Sequence, residues 1–177
     1  MVKQLVLATG AYLLLPACRE NESRSSVALH SIKISGGQEA LLAELAETIL
    51  PKTDTPGAKD LSAHLFALVM IDDCMKEEDQ KKFMNGLKDF EKTAKDKLGK
   101  SFEESGPEQR RSFVAALDGV KKGDDSDLHF FYANTKRFTV QAYTTSQYFL
   151  TKIQPYELVP GRYHGCVPLK PSPQVPL

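Results

Sequence analysis

Three cysteines, Cys18, Cys74 and Cys166, and one adjacent pair of acids, Asp72 and Asp73, are the groups of this chain most suited to chemistry. Thiolates act as nucleophiles or bind metals, and paired carboxylates can transfer protons. Neighbouring residues of a helix point about 100° apart, so the two acids do not converge on one substrate atom. We predict that they end one helix and cap the next, and that the chain has no catalytic residue.

His164 stands two residues before Cys166, and together they supply only half of a tetrahedral metal site. The sequence has no C-x-x-C, H-E-x-x-H, G-x-S-x-G or G-x-G-x-x-G motif. We therefore expect no metal, haem or nucleotide cofactor in this chain. The alternative, an enzyme that uses Asp72, Asp73 or His164, lacks a converging set of groups.

The composition is that of an ordinary globular protein. Its 177 residues are 41% hydrophobic and 26% charged, and the formal net charge is zero. This length suits one domain, with or without a tail. A balanced charge disfavours nucleic acid as the main partner, because binding to phosphates needs a basic face.

The N-terminal stretch has the pattern of an export signal. Lys3 precedes an apolar run over residues 5–15, which is shorter than the roughly 20 apolar residues needed to cross a bilayer. The run ends in L-L-P-A-C, which resembles the lipobox of bacterial lipoproteins. We predict a signal peptide over residues 1–17 and lipidation of Cys18, which would hold the protein at a membrane. A short buried helix with a chance cysteine is the alternative.

Cys74 and Cys166 remain once Cys18 carries lipid. Disulfides persist in exported proteins, and an even remainder favours pairing. Closing a loop of this length would constrain the unfolded chain by about 4–5 kcal/mol. Two unpaired, buried thiols are the alternative, since the sequence gives no distance between them.

Apolar periodicity and turn signals predict an all-α fold, a single bundle-like helical domain over residues 38–154. About five helices are expected, over residues 38–50, 61–71, 77–98, 107–117 and 127–151. Residues 18–37 are expected to form a flexible tether, with a weak strand pattern at 27–34. Six of the ten prolines lie from Pro155 onward, so residues 155–177 should form an extended arm.

The aromatic residues of the last predicted helix fall on two faces. Tyr132 and Tyr143 lie nearly opposite the face that carries Phe131 and Phe138. A helix that is apolar on two sides is either internal to its own domain or shared with a partner. Interfaces are enriched in tyrosine, which favours a partner, and a fully internal helix is the alternative.

Three segments resemble the gluconate 2-dehydrogenase subunit 3 family. They are LAELAETILPKTDTPGAKDLSAHLFALVMIDDC, with its T-D-T-P-G-A turn and D-D-C helix end, FYANTKRFTVQAYTTSQYF in the last helix, and YELVPGRYHGCVPL in the arm. The likeness spans roughly residues 40–170. It implies a small, mainly helical, exported subunit.

The resemblance also implies that a partner does the chemistry. In the family, the small subunit accompanies a large FAD-containing dehydrogenase of the glucose–methanol–choline type, which passes electrons to a cytochrome or a quinone. We therefore expect a non-catalytic periplasmic subunit, lipid-anchored to the bacterial membrane, that assists assembly, export or anchoring of the flavoprotein. A free-standing envelope lipoprotein, acting as a binding or structural module, is the alternative. The expected partner interface comprises Tyr132, Tyr143, Pro160, Gly161 and Tyr163.

Overall fold

The computed structural model of the chain describes residues 25–119, 126–154 and 166. Within these residues the chain forms five α-helices and, after the last of them, a π-helical turn over Phe149–Ile153. The α-helices are α1 (Gly36–Ile49), α2 (Ala63–Cys74), α3 (Glu77–Leu98), α4 (Pro107–Asp118) and α5 (Asp127–Thr144). The predicted all-α fold is confirmed. The predicted lipidation site Cys18 and the arm residues Pro160, Gly161 and Tyr163 lie outside the described residues.

Helix α5 lies at the centre of the domain and packs against α3, α2 and α1. Phe131 of α5 contacts Phe83 and Phe90 of α3, with ring centroids 4.9 and 5.4 Å apart. Phe102 and Phe113 continue this aromatic cluster on the other side of Phe90. One continuous apolar core therefore surrounds α5. None of the described helices is both long and apolar enough to cross a bilayer.

The last α-helix ends earlier than predicted, at Thr144 rather than near residue 151. The hydroxyl of Thr144 donates to the carbonyl of Val140 at 3.1 Å, and that of Thr145 donates to Gln141 at 2.8 Å. Ser146 then donates to the carbonyl of Tyr143 at 2.7 Å. Hydroxyls that bond to nearby carbonyls offer the backbone an alternative to the helical ladder, and three of them follow one another where α5 ends.

Residues 25–35, which we call the strap, were expected to belong to a flexible tether, and this expectation is wrong. Ile32 and Ile34 are buried in the core, 6% and 7% exposed. The carboxylate of Glu39 accepts three hydrogen bonds from the start of the strap: the hydroxyl of Ser25 at 2.7 Å, and the backbone N–H and hydroxyl of Ser26, both at 2.6 Å. The strap is therefore part of the folded domain.

Candidate functional site

The T-D-T-P-G-A turn joins α1 to α2, and two carboxylates hold it. Glu47 accepts hydrogen bonds from the backbone N–H groups of Lys52 and Lys59, both at 2.9 Å. Asp60 accepts from the N–H of Gly57 at 3.1 Å and pairs with the ammonium of Lys52 at 3.1 Å. Because backbone donors of the turn are satisfied within the chain, the turn is held in one conformation.

Two residues of this turn have unusual backbone requirements. A Cβ on Gly57 would lie 2.5 Å from Oε1 of Glu47 and 2.7 Å from the backbone nitrogen of Lys52, so only glycine fits without a shift of the network. Ser62, just before α2, has a left-handed backbone with φ of 52°. That conformation costs an L-residue about 1–2 kcal/mol. The turn is therefore tightly packed at one residue and strained at another.

An ion-pair network links the turn to α1 and α4. Glu44 of α1 pairs with the ammonium of Lys59 in the turn and with the guanidinium of Arg110 in α4. Burial raises the pKa of Glu44, but hydrogen bonds from Lys59 and Arg110 and their positive charges outweigh it, so the pKa lies below its usual value. Glu44 is therefore ionised at neutral pH and connects three elements.

The same turn packs against the second half of α5. Ala58 of the turn lies in a buried cluster with Ala46, Ala63 and Ala142, which come from α1, α2 and α5. Side chains this small let the turn approach the three helices closely. Two of the three segments that carry the family resemblance thus meet at one end of the domain. We call this region, residues 51–62 and 139–153, the turn end.

The turn end carries exposed apolar side chains. Val140 and Ile153 are 41% and 50% exposed. Within the described part of the chain, no other large hydrophobic residue is as exposed as these two. Tyr143 lies one helical turn after Val140, is half-buried, and packs its ring edge-on against Phe149 at 5.8 Å. Ile153 is the last residue of the π-helical turn that follows α5.

The prediction that Tyr132 contacts a partner together with Tyr143 is wrong for Tyr132. Its side chain belongs to the apolar core and the residue is 2% exposed. Burial and the neighbouring carboxylate of Asp118 raise the pKa of Tyr132 above its usual range. At Tyr132, α5 is therefore internal to its own domain, as the alternative interpretation had it. Tyr143 remains accessible.

The D-D-C motif lies at the far end of α2, roughly 16 Å along the helix axis from the turn. Asp72 is buried and accepts hydrogen bonds from the backbone N–H groups of His30 at 2.6 Å and of Ser31 and Ile32 at 2.8 Å. Burial raises the pKa of Asp72, but the three hydrogen bonds lower it by more than burial raises it. The pKa of Asp72 therefore lies below its usual value. The prediction that these acids cap the next helix is wrong, because Lys76 is the N-cap of α3. Asp72 instead holds the strap.

Cys74 and Cys166 are both exposed. The alternative of two buried thiols is therefore wrong, and the disulfide between them stays a prediction. His64, half-buried on α2, has an Nδ1 atom without a hydrogen-bond partner among the described residues, and burial lowers its pKa.

Two polar residues with structural roles had no signal in the sequence. Glu39 binds the start of the strap across 13 to 14 residues of chain. The amide nitrogen of Gln80 donates to the carbonyl of Asp72 at 2.7 Å and to those of Ile71 and Met75 at 3.2 and 3.3 Å, which closes the α2–α3 turn. Glutamate and glutamine lie mostly at protein surfaces, so their residue types do not indicate these partners and only the fold shows them.

The fold and the turn end define a small all-α protein built around one central helix, with a rigid motif-bearing end. The family model for gluconate 2-dehydrogenase subunit 3 matches residues 37–161, which is more than half of the chain, and the chain belongs to this family. Members of this family are subunits of a multi-subunit dehydrogenase. Comparison with curated proteins and with solved structures gave no match.

Proposed function

We propose that this chain is the non-catalytic small subunit of a periplasmic, membrane-associated dehydrogenase of the glucose–methanol–choline type, which oxidises gluconate, another sugar or sugar acid, or a polyol. The observation that carries the proposal is the family match. It covers nearly all of α1 and the whole of the other four helices. The large partner subunit holds FAD, and a cytochrome c or a quinone accepts its electrons.

The acidic groups of the matched motifs support this division of labour. Glu47 and Asp60 hold the backbone of the turn, Glu44 links the turn to α1 and α4, and Asp72 holds the strap. Each of these carboxylates already binds donors of this chain. In the proposal, Glu44, Glu47 and Asp60 keep the docking surface at the turn end in place, Asp72 holds the strap at the other end of α2, and the redox chemistry takes place on the partner.

We assign the contact with the flavoprotein to the turn end and the arm. Val140, Tyr143 and Ile153 supply accessible apolar and aromatic side chains on the described part of this surface. Exposed apolar and aromatic groups are typical of protein interfaces. Pro160, Gly161 and Tyr163 of the arm complete the proposed contact, and Tyr132 is excluded from it because it is buried.

The anchoring role rests on lipidated Cys18. The strap begins at Ser25, so seven residue steps separate it from the anchor, and a fully extended chain of that length spans at most roughly 25 Å. A flexible tether up to residue 37 would reach more than twice as far. The helical domain, and with it the flavoprotein, would therefore be held close to the membrane surface.

The proposal is tested by affinity purification of the tagged full chain from its native membranes in mild detergent. We expect a large polypeptide with flavin absorbance to copurify. Replacing Val140 and Ile153 together by glutamate should lower its recovery, whereas Lys92→Glu, a charge change on the exposed face of α3, should not.

Recovery of the chain without any flavoprotein would contradict the proposed function and favour the free-standing lipoprotein. Full recovery with the Val140/Ile153 double variant would contradict only the assignment of the surface.

A further inference from the structure

Three side chains of types that can bind a metal ion lie together where the strap crosses the C-terminal end of α2. The Nδ1 atom of His30 is 3.6 Å from Oδ2 of Asp72 and 3.9 Å from Oδ1 of Asp73. One imidazole nitrogen and two carboxylate oxygens all lie within 4.8 Å of one another. The turn end lies at the other end of α2, so this group is separate from the surface assigned to the flavoprotein.

The hydrogen bonds of Asp72 leave one acceptor position of its carboxylate unused. A carboxylate offers about four lone-pair sites, two on each oxygen. Oδ1 accepts from the N–H groups of both Ser31 and Ile32, whereas Oδ2 accepts from the N–H of His30. The remaining site lies on Oδ2, the atom that is 3.6 Å from Nδ1 of His30. Asp72 can therefore bind a cation through one oxygen and keep its backbone hydrogen bonds.

The three side chains combine one fixed ligand with two adjustable ones. The Asp72 side chain is 1% exposed, and the strap backbone orients its carboxylate, as outer-sphere hydrogen bonds do in metal sites. The side chains of His30 and Asp73 are 82% and 55% exposed. They can rotate toward an ion, and water can complete its coordination shell.

The spacing and the donor types indicate the class of ion. Metal–ligand distances of about 2.0–2.2 Å place adjacent ligand atoms roughly 2.8–3.1 Å apart in octahedral sites and roughly 3.3–3.6 Å apart in tetrahedral sites. The observed 3.6 and 3.9 Å need a small inward rotation of His30 and Asp73. A set of imidazole and carboxylates suits zinc and neighbouring divalent transition metals, whereas calcium and magnesium prefer oxygen ligands alone.

We propose that Nδ1 of His30, Oδ2 of Asp72 and Oδ1 of Asp73 bind one divalent transition-metal ion of the zinc class, with water in the remaining positions. Because His30 belongs to the strap and the two acids belong to α2, the bound ion joins the strap to the helical domain. It stabilises the docked strap by mass action. This inference does not depend on the flavoprotein partner.

The test is a titration of the full chain, purified in mild detergent and freed of metal with a chelator, with zinc sulfate. Calorimetry should show one ion bound per chain, and amide exchange at residues 30–32 should slow when zinc is added. Asp73→Asn and His30→Gln should each weaken binding by about tenfold or more. Asp89→Asn on α3 and His129→Gln on α5 are the matched controls and should bind zinc as the unaltered chain does.

Absence of stoichiometric binding, or unchanged binding by both Asp73→Asn and His30→Gln, would overturn the proposal. Cys74 follows Asp73 and thiolates bind zinc strongly, so Cys74→Ser is titrated as well. Retained binding supports the nitrogen and oxygen ligands, and its loss would overturn them in favour of a thiol site.

Discussion

Replacing Gly86 by alanine should destabilise the helical domain, although alanine is the better helix former. Gly86 lies in the buried face of α3, where α3 crosses the first turns of α5. A Cβ at this position would overlap the backbone carbonyl oxygen of Asp127 and lie 2.6 Å from its carbonyl carbon and from Cβ of Phe131. None of these atoms is the end of a flexible side chain, so α5 has to move.

The magnitude follows from two opposing contributions. Alanine gains about 1 kcal/mol over glycine in a helix interior. Overpacking a well-packed core costs about 1–3 kcal/mol and sometimes more, and here the obstacle is backbone. Taking the upper end of that cost, about 3 kcal/mol, we expect a net loss of about 2 kcal/mol in the free energy of unfolding, which for a chain of this size lowers Tm by about 4–8 °C.

Urea denaturation followed by circular dichroism at the helix band measures this change. Gly37→Ala in the first turn of α1 is the control, because its Cβ would meet Ser35 Oγ at an ordinary 3.8 Å. This control should be neutral or slightly stabilising. A Gly86→Ala protein as stable as the unaltered one would refute the close crossing of α3 and α5.

Three further changes test other parts of the structure. Asp72→Asn should cost about 2–3 kcal/mol and speed amide exchange in the strap, because an amide group replaces a buried, charged acceptor of three N–H bonds; unchanged exchange would contradict this role. The folded-state pKa of Glu44 lies below its unfolded value, so its stabilisation is complete above the unfolded pKa of about 4.3 and is lost as the pH falls through the folded value. Urea titrations from pH 7 to pH 3 should therefore show a smaller acid-induced loss of stability for Glu44→Gln. Ser62→Gly should raise the free energy of unfolding by about 0.5–1 kcal/mol, because glycine relieves the left-handed backbone, and a loss of stability in the same titration would argue against that strain.

Local patterns predicted the helices well where one face of a helix is buried. On α3, apolar residues recur every three to four positions; Phe83, Leu87, Phe90 and Ala94 are all fully buried, and Leu98 on the same face is half-buried. The opposite face carries charged residues, so period and polarity agree there. Such a pattern needs no knowledge of the neighbouring elements.

The prediction failed where tertiary partners decide. A helical wheel shows that Tyr132 and Phe131 lie on different faces, but it does not show that helices surround α5, which buries both. The role of Asp72 depends on N–H groups 40–42 residues away in the strap, and no local motif indicates such a contact. The strap has alternating apolar residues among polar ones, which is the composition of a linker. It is ordered because Asp72 of α2 accepts its backbone hydrogen bonds.

The central claim, that this chain is the non-catalytic partner of a flavoprotein, is tested most directly by separating the subunits of the purified assembly and assigning flavin and turnover to each. We predict that FAD and sugar or polyol dehydrogenase activity stay with the large polypeptide, and that this chain alone has neither. Flavin bound to the isolated chain, or turnover of a sugar by it, would contradict the claim.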